Sequence, residues 1–292
     1  MDAVTSVWAL TGPAPRIYVV DNASTDGSEA RLRAWAPDLT IIQSGGNLGW
    51  AGGNNAGISA ARRDGCAHVL LLNNDAMIRP DALTVVAGAA ERHPDAASIG
   101  ALIVSAADPE SVEFAGAAMD PRSAMPKPHD IIYSELGLLP DLVPTIAVKG
   151  CAMLLTATGL SQVGLLTEDY FLNYDETDWC FRANALGLVH YMALRAVVEH
   201  KGAVSFAGFD GPLYRYFITR NRLVFAHRHL SFRGRWFAWR AAFWQLRQPP
   251  GPGVTWFQSW WVVLMAILDY GRGRLGDCPP RVRVFNRRGL PD

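Results

Sequence analysis

One segment of the chain combines carboxylates with large aromatic rings in a pattern that suits acid–base chemistry. Residues 167–182 read TEDYFLNYDETDWCFR, in which five carboxylates are interleaved with Tyr, Phe and Trp. A solvated acidic face would alternate its charges with small polar residues instead. Carboxylates beside apolar rings are partly desolvated, which raises their pKa and suits one of them to act as a general base. An ordinary acidic helix start is the competing explanation.

Three of these carboxylates, Asp175, Glu176 and Asp178, cluster where a loop is expected to turn into a helix over residues 177–186. Two further carboxylates each follow a short apolar run. Asp21 ends the run at 17–20, and Asp75 closes the sequence Asn-Asn-Asp after the run at 69–72. The carboxyl ends of neighbouring parallel strands meet at one edge of a sheet, and ligands bind there.

The elements that must position these residues alternate between strands and helices in the first hundred residues. The predicted strands are 17–20, 40–43 and 69–72, and the predicted helices are 29–35, 54–63 and 80–93. A glycine-rich loop is expected over 45–53. Strands that are apolar throughout and alternate with helices predict a parallel sheet with helices on both faces.

The rest of the chain is less regular. Residues 120–144 hold five prolines and predict a loop-rich excursion. Apolar runs predict strands, and long periodic segments predict helices separated by the break PPGPG at 249–253. The predicted strands are 147–155, 188–192 and 197–200, and the predicted helices are 214–230, 236–246 and 254–270.

Charge divides the chain into two parts. The net charge is zero, yet residues 220–292 contain no Lys or Glu, many Arg and six of the ten Trp residues. We therefore expect a domain at 1–219 and an Arg- and Trp-rich helical extension at 220–292 that forms an interaction surface. Its longest apolar run, 256–268, is too short to span a bilayer. Arg and Trp interleaved over 233–247 suit a membrane surface, although a helical layer capping the core is the alternative.

Cysteine spacing and the first residues indicate the compartment. The four cysteines show no CxxC spacing, which predicts free thiols rather than zinc ligands or disulfides. The start of the chain lacks the basic and apolar regions of a signal peptide. We expect a cytoplasmic protein, in peripheral contact with the inner face of the cytoplasmic membrane through residues 220–270, and no nucleic-acid partner.

Six motifs occur in an order that resembles one known family. They are VVDNASTDGS at 19–28, NLGWAGGNNAGI at 47–58, LLLNNDAMIRPDAL at 70–83, GCAMLL at 150–155, EDYFLNYDETDWCFRANALGL at 168–188 and HKGAVSF at 200–206. Together they are similar to family 2 inverting glycosyltransferases of the bacterial rhamnosyltransferase-like branch, over roughly residues 5–230. The resemblance implies an α/β fold of the GT-A type, a half-Rossmann parallel sheet, followed here by the helical extension.

The resemblance also implies a reaction and its donor site. Such enzymes transfer a sugar from a dTDP-, UDP- or GDP-sugar to a hydroxyl of a saccharide or lipid-linked saccharide, in cell-envelope polysaccharide synthesis. Asp21 resembles the carboxylate that binds the base of the donor, although a turn-initiating Asp is the alternative. Asn47, Gly49 and Gly52 match the donor loop, where glycines let the backbone approach the nucleoside. A plain tight turn explains any one glycine equally well.

Metal binding is implied at two positions. Asn73-Asn74-Asp75 takes the place of the DxD-type motif of the family but has Asn at 73. Asp75 is therefore expected to bind both the donor and Mg²⁺ or Mn²⁺. His200 resembles a second, later metal ligand, although a histidine after a strand is commonly structural.

The catalytic base of the family aligns with Glu176, and Asp175 is the alternative because the usual Glu-Asp order is reversed here. Asp178 and Trp179 are expected to line the acceptor pocket together with Gly150. The implied chemistry is a single displacement, in which the base takes a proton from an acceptor hydroxyl whose oxygen attacks the anomeric carbon.

One part of the family pattern is absent. The family begins with a further strand and helix before the strand at 17–20, and residues 1–10 resemble the end of that helix. We expect about 30–40 residues, one strand and one helix of ordinary length, to be missing upstream, which places the activity of this chain in question.

Two other functions remain as alternatives. A dinucleotide-dependent oxidoreductase is suggested by Gly46, Gly49 and Gly52 after a strand, but their spacing departs from GxGxxG. A catalytically impaired homologue that only binds nucleotide sugars or partners would explain the missing strand. Binding of nucleotide sugars with Mn²⁺, compared with NAD(H), separates these readings.

Overall fold

The computed structural model of the protein describes residues 1–202 and 211–287. Helices and strands alternate through the first hundred residues, and helices alone follow the last strand. The strands are β1 (Tyr18–Asp21), β2 (Thr40–Gln43), β3 (Val69–Leu72), β4 (Ala76–Ile78), β5 (Ala96–Ser105), β6 (Val112–Phe114), β7 (Ala117–Met119), β8 (Pro126–Pro128), β9 (Leu142–Thr145), β10 (Ala152–Leu155) and β11 (Val189–His200). The α-helices are α1 (Asp2–Trp8), α2 (Ser28–Trp35), α3 (Gly49–Arg63), α4 (Ala82–Arg92), α5 (Ala157–Gln162), α6 (Asp175–Ala185), α7 (Pro212–His229), α8 (Phe232–Gln245), α9 (Trp256–Gly271) and α10 (Pro280–Arg287).

The main sheet has the order β3-β10-β5-β11-β4, with β6 beside β5 and β9 beside β11. The sheet is mixed rather than purely parallel, because β5 and β11 are parallel whereas β10, β4, β6 and β9 run antiparallel to their neighbours. Nine of the ten residues of β5 are buried, since its side chains are covered on both faces of the sheet. The predicted α/β fold class, with a helical C-terminal region, is confirmed.

The strands β1 and β2 pair in parallel as a two-stranded sheet of their own. Neither strand is hydrogen-bonded to the main sheet among the described residues. Helix α1 packs against β4, where the Ser6 hydroxyl accepts a hydrogen bond from the Ile78 amide at 3.1 Å. The predicted strands at 40–43 and 69–72 have the observed bounds.

Three predicted elements differ from those observed. Helix α3 begins at Gly49, so most of the predicted glycine-rich loop belongs to the helix. The two strands predicted at 188–192 and 197–200 are one strand, β11, whose pairing shifts register between Ala193 and Val197. The strand predicted at 147–155 is confined to β10, because residues 149–151 form a turn that leads into it.

The helices α7 to α10 form a layer beside the sheet. Helix α7 begins with Pro212 in its first turn and packs against both α8 and α9. The predicted domain boundary at 219 and 220 falls inside α7, which runs unbroken across it. The helical layer therefore begins before the composition changes. The Cys side chains at 151, 180 and 278 are buried, Cys66 is half-buried, and all four thiols are free.

Candidate active site

The ends of three strands bring Asp75, His200 and Glu113 together. His200 pairs with Ala76 where β11 meets β4, which places Asp75 beside it, and the Lys201 amide donates to the Asp75 carbonyl at 2.9 Å. His200 Nε2 lies 3.5 Å from Asp75 Oδ1, and His200 Nδ1 lies 2.8 Å from Glu113 Oε2. The neighbouring carboxylates of Asp75 and Glu113 raise the pKa of the His200 imidazole despite its partial burial.

This cluster suits a divalent cation that is shared with a ligand. Among the described residues, the buried Asp75 Oδ1 has no hydrogen-bond partner, and such an atom costs free energy unless something binds it. Within 1–202 and 211–287, no three His, Cys, Asp or Glu side chains are arranged to hold a metal ion by themselves. A carboxylate oxygen and an imidazole leave several coordination positions to be filled by other oxygens. The donor set therefore fits a cation that also binds phosphate oxygens.

Trp50 forms one wall beside this cluster. Its indole Nε1 donates to Asn73 Oδ1 at 3.0 Å, and its ring packs on Gly150, where a Cβ atom would lie 2.3 Å from Cζ2. The backbone N–H of Asn73 donates to the Cys151 carbonyl at 3.0 Å. Asn73, which departs from the family pattern, thus fixes the tryptophan. The absence of a side chain at Gly150 is required by the Trp50 ring, which is a structural reason independent of any acceptor.

Lys149 connects the cluster to the acidic segment. Its Nζ lies 3.8 Å from Glu113 Oε2, and its positive charge lowers the pKa of Glu176. The Gly150 amide also favours the charged form of Glu176. A polar path therefore runs from Asp75 through His200 and Glu113 to Lys149, whose charge acts on Glu176.

Asp175 and Glu176 occupy the first two positions of α6 but differ in exposure. Asp175 is buried, with 2% of its surface exposed, and no residue in the described part of the chain hydrogen-bonds to its Oδ2. Burial and the adjacent Glu176 charge raise the pKa of Asp175 well above its usual range. Glu176 is half-buried, and burial raises its pKa while Lys149 opposes that rise. The pair therefore holds a proton on Asp175 more readily than on Glu176.

The loop that precedes this pair has an unusual backbone. Phe171, Asn173 and Tyr174 have φ angles of 66°, 65° and 75°, which non-glycine residues rarely adopt. The Trp50 amide donates to the Phe171 carbonyl at 2.7 Å. This contact fixes the loop from the α3 side.

Two buried residues of α7 hold the same loop from the other side. Asn221 Nδ2 donates to the carbonyls of Tyr170, Leu172 and Asn173 at 2.8, 2.6 and 3.1 Å. The Arg220 guanidinium donates to the Tyr170 carbonyl at 3.0 Å. Both side chains are fully buried. Helix α7 therefore positions the start of α6.

Asp178 does not line a pocket. Its carboxylate is 1% exposed and accepts hydrogen bonds from Thr167, Tyr170, Arg182 and His229. Burial raises the pKa of Asp178, but the His229 and Thr167 hydrogen bonds and the Arg182 charge outweigh it and hold the pKa at about 2. The carboxylate connects α6 to the end of α7.

Trp179 does not line a pocket either. It is fully buried, and its indole donates to the Gly164 carbonyl at 2.9 Å. The acceptor contacts of Asp178 and Trp179 stay predictions, which the burial of both side chains does not favour. Both side chains point into the core from α6.

Asp21 and Asn47 lie at the end of β1 and before α3. Asp21 Oδ1 accepts from the Ser24 amide at 3.1 Å, and Oδ2 accepts from Gln43 Nε2 at 2.8 Å. The Ser24 and Gln43 contacts lower the pKa of Asp21, so the carboxylate stays ionised. Asn47 Oδ1 accepts from the Gly49 amide at 3.0 Å and so contacts the first residue of α3.

The two donor-loop glycines have structural reasons for being glycine. Gly49 has a φ of +71°, and a Cβ atom there would lie 2.3 Å from the Phe171 carbonyl oxygen. A Cβ at Gly52 would lie 2.5 Å from the Leu48 Cβ. The predicted explanation, close approach of a nucleoside, is not needed to account for either position. The glycines instead let α3 approach the strained loop at 171–174.

Four site residues were missed by the sequence interpretation: Asn22, Glu113, Lys149 and Asn221. Asn22 accepts from the Leu48 amide at 2.9 Å and donates to the Gly49 carbonyl at 2.9 Å, which ties β1 to α3. The GCAMLL motif begins directly after Lys149, so adjacency was an available signal. Glu113 and Asn221 carry no such signal. The last four residues of the motif HKGAVSF, 203–206, lie outside the described residues.

The chain is similar in sequence to enzymes that build glycans. It is 28% identical over 231 residues to the low-salt glycan biosynthesis hexosyltransferase Agl10 of Haloferax volcanii, covering 76% of this chain and 70% of that protein. It is 25% identical over 253 residues to N-acetylglucosaminyl-diphospho-decaprenol L-rhamnosyltransferase of Mycobacterium tuberculosis, covering 79% of each chain.

Solved structures share the fold at lower identity. Mannosyltransferase PcManGT from Pyrobaculum calidifontis, in complex with GDP-Man and Mn²⁺, superposes with a TM-score of 0.52 at 16% identity, over 97% of this chain and 73% of that one. GalNAc-T7 with UDP, GalNAc and Mn²⁺ superposes with a TM-score of 0.53 at 14% identity, over 86% of this chain. The chain spans 55% of the length of GalNAc-T7. Both likenesses confirm the predicted GT-A fold.

A family profile decides membership. The profile described as Glycosyl transferase family 2 matches residues 2–152, more than half of the chain, and includes β1, the start of α3 and Asp75. The protein is a glycosyltransferase by family, of the kind that transfers a sugar from a nucleotide-sugar donor with inversion. The chain belongs to glycosyl transferase family 2.

Proposed function

We propose that the chain transfers a sugar from a nucleoside-diphosphate sugar to a hydroxyl of a saccharide or lipid-linked saccharide acceptor. The observation that carries this proposal is the polar path from Asp75 and His200 to the Asp175–Glu176 pair. One end offers oxygen and nitrogen ligands, and the other end offers a carboxylate with a raised pKa. A metal-assisted displacement needs both ends within one site.

Glu176 is the general base of this reaction. Glu176 is half-buried, whereas Asp175 is almost fully buried. Asp175 keeps its proton because burial and the Glu176 charge raise its pKa. A neutral Asp175 cannot take a proton from the acceptor, so it positions Glu176 instead. Glu176 removes the hydroxyl proton as the acceptor oxygen attacks the anomeric carbon and the bond to the diphosphate breaks.

Asp75 and His200 would hold a Mg²⁺ or Mn²⁺ ion. Such an ion, when bound, neutralises the charge of the diphosphate that leaves. Glu113 Oε2 accepts a hydrogen bond from His200 Nδ1 and so fixes the ring with Nε2 facing Asp75. Lys149 adds a positive charge between the two ends of the site.

The donor nucleoside is proposed to bind at the end of β1. Asp21 keeps an ionised carboxylate there, and Asn47 and Gly49 lie at the start of α3. The nucleotide is one of the dTDP, UDP and GDP class. Gly52 contributes through the packing of α3, and Gly150 borders the acceptor side through its contact with Trp50.

The acceptor class follows from the sequence relatives. The mycobacterial relative is named for a diphospho-decaprenol substrate, and the archaeal relative is named for glycan biosynthesis. We propose a saccharide or lipid-linked saccharide of the cell envelope. A cytoplasmic protein in peripheral contact with the membrane through residues 220–270 would meet such an acceptor at the inner face. Within the described residues, no helix is both long and apolar enough to cross a bilayer.

A thermal-shift screen tests the donor and cation together. The full chain is titrated with dTDP-, UDP- and GDP-sugars with and without Mn²⁺, and with NADH as the unrelated dinucleotide. We expect one nucleotide class to raise the melting temperature, with a larger rise when Mn²⁺ is present. Asp75→Asn should lose the Mn²⁺-dependent part, because the amide oxygen is a weaker ligand.

Asp81→Asn is the matched control, since this exposed carboxylate lies at the start of α4. Equal Mn²⁺ dependence in Asp75→Asn and in the unmodified protein would overturn the cation assignment. Donor binding without transfer to any acceptor would instead favour a protein that only binds nucleotide sugars.

A further inference from the structure

One face of α9 exposes an unbroken series of large apolar side chains. Trp256, Trp260, Leu264 and Leu268 follow each other at intervals of four residues, with Phe257 beside them. The exposed fractions of these five residues range from 46% to 71%. Side chains four residues apart lie on the same face of a helix. A helix that packs on a core normally carries polar residues on its outer face. This apolar stripe is left uncovered by residues 1–202 and 211–287.

The outer face of α8 combines aromatic rings with arginines. Phe232, Trp236 and Phe243 are exposed, and Arg233 and Arg240 occupy the same side of the helix. Arg247 is exposed directly after the end of α8. Gly234, Ala238 and Ala242 form the opposite, buried side. The Arg240 guanidinium lies 4.7 Å from the centre of the Trp236 ring. Among the described residues, none of these three arginines forms an ion pair with a carboxylate.

The two outer faces are neighbours. Helices α8 and α9 both pack on α7, and each buries the side that faces it. The Trp260 indole donates to the Leu246 carbonyl at 2.8 Å, and the Trp239 ring lies 5.7 Å from the Tyr270 ring. The helices are therefore joined at both ends and turn their unpacked sides away from the protein. We call these two sides together the aromatic–arginine face.

The charge around this face has one sign. Residues 212–287 contain thirteen arginines and only two carboxylates, Asp269 and Asp277. Asp269 is 1% exposed, and Asp277 pairs with Arg283 at 2.6 Å. A second copy of the chain, seated by two-fold symmetry, would place arginines against arginines. A partner with negative charge and an apolar interior avoids that repulsion.

We propose that the aromatic–arginine face docks on an anionic lipid bilayer. The α9 stripe lies at the boundary between headgroups and acyl chains, where Trp residues are favoured, and the α8 arginines bind headgroup phosphates. Long arginine side chains reach the phosphates while their stems cover apolar surface. The helices α8 and α9 that form this face both pack on α7, and α7 carries Asn221. Docking therefore orients the helix that holds the loop before Glu176. That orientation rests on the proposed function, whereas lipid docking itself does not.

Sedimentation with vesicles tests the docking. The full chain is mixed with vesicles of phosphatidylcholine alone or with phosphatidylglycerol, at about 0.1 M and about 1 M salt. We expect binding to the anionic vesicles that weakens at high salt. The double variant Phe257→Glu, Leu264→Glu should lower the partition coefficient at least tenfold. Both positions are more than half exposed, so the fold is retained.

Two control variants separate the docking face from general surface effects. Leu138 lies outside the aromatic–arginine face and is 86% exposed. The Leu138→Glu variant should therefore bind vesicles like the unmodified protein. The double variant Arg233→Gln, Arg247→Gln should weaken binding to anionic vesicles about fivefold for each arginine removed, and leave binding to neutral vesicles unchanged. Arg63→Gln with Arg92→Gln removes two exposed charges elsewhere and should have no effect.

Each outcome decides the proposal. Protein that stays in the supernatant with both vesicle types overturns it, as does equal binding by the Phe257→Glu, Leu264→Glu variant. A concentration-dependent dimer in light scattering that this variant abolishes, without vesicle binding, shows that the face joins two copies instead. Nucleotide-sugar thermal shifts on the same samples report separately on the proposed function, so either can fail while the other holds.

Discussion

Replacing Asn221 with alanine tests whether α7 positions the catalytic pair. Asn221 lies on α7, and its amide donates to three consecutive parts of the loop before α6, the carbonyls of Tyr170, Leu172 and Asn173. Its side chain is completely buried. The Asn221→Ala variant removes the donors and leaves the backbone of α7 unchanged.

Two free energies of similar size oppose each other in this variant. The Tyr170 carbonyl keeps the Arg220 donor, whereas Leu172 and Asn173 lose theirs. Each buried carbonyl left unpaired costs about 1–3 kcal/mol, so about 2–6 kcal/mol for the two. Relaxing the left-handed backbone at three non-glycine residues returns about 1–2 kcal/mol each, or about 3–6 kcal/mol. The loop is therefore expected to rearrange while the rest of the protein stays folded.

The consequence is a selective loss of turnover. A displacement of about 1 Å at Glu176 lowers the rate on the order of 10²-fold. We expect the turnover number of Asn221→Ala to fall by about 10² while the donor dissociation constant changes less than about threefold. Turnover is measured with saturating donor, and donor affinity by calorimetry.

Thr219→Val is the matched control on the same helix. Thr219 is also fully buried, but its hydroxyl has no hydrogen-bond partner among the described residues. Valine has nearly the same shape, so turnover and stability should be unchanged or slightly improved. Unmodified turnover in Asn221→Ala, or an equal loss in Thr219→Val, would refute the positioning role.

Three further predictions follow from the site. Glu176→Gln should lower turnover by about 10²–10⁴ with donor affinity retained, since glutamine cannot accept the proton; a larger loss in Asp175→Asn, measured in the same assay, would move the base to position 175. Lys149→Gln should shift the acid limb of the pH profile of kcat/KM to higher pH, because the Lys149 charge lowers the pKa of Glu176 and the base must be ionised; an unmoved limb contradicts this. Asp178, held at a pKa of about 2, should contribute about 2.5 kcal/mol of stability above pH ~4 that is lost as the pH falls toward 2. Urea unfolding of the unmodified protein and of Asp178→Asn at several pH values checks this contribution. If the free energies of unfolding of the two proteins depend on pH in the same way, the contribution is excluded.

The sequence alone determined where the chemistry-bearing strand ends lie. The runs before Asp21 and Asp75 are short, apolar and bounded by turn residues, so their strand character depends on local side chains. The acidic residues at the start of α6 and the Arg- and Trp-rich composition of the last helices can be read directly from the sequence. Six ordered motifs also sufficed to predict the family and its fold, which the family profile confirmed.

The tertiary structure decided which polar groups meet and which are buried. Glu113 reaches His200 across 87 positions of the chain, and Asn221 reaches Tyr170 across 51, because strand register and helix packing bring them together. Trp179 was predicted to line the acceptor pocket, and its burial was not foreseen because its neighbours in sequence do not show which side of α6 faces the core. Local side chains determine the elements, but burial and contacts depend on how those elements pack, and packing is a property of the whole chain.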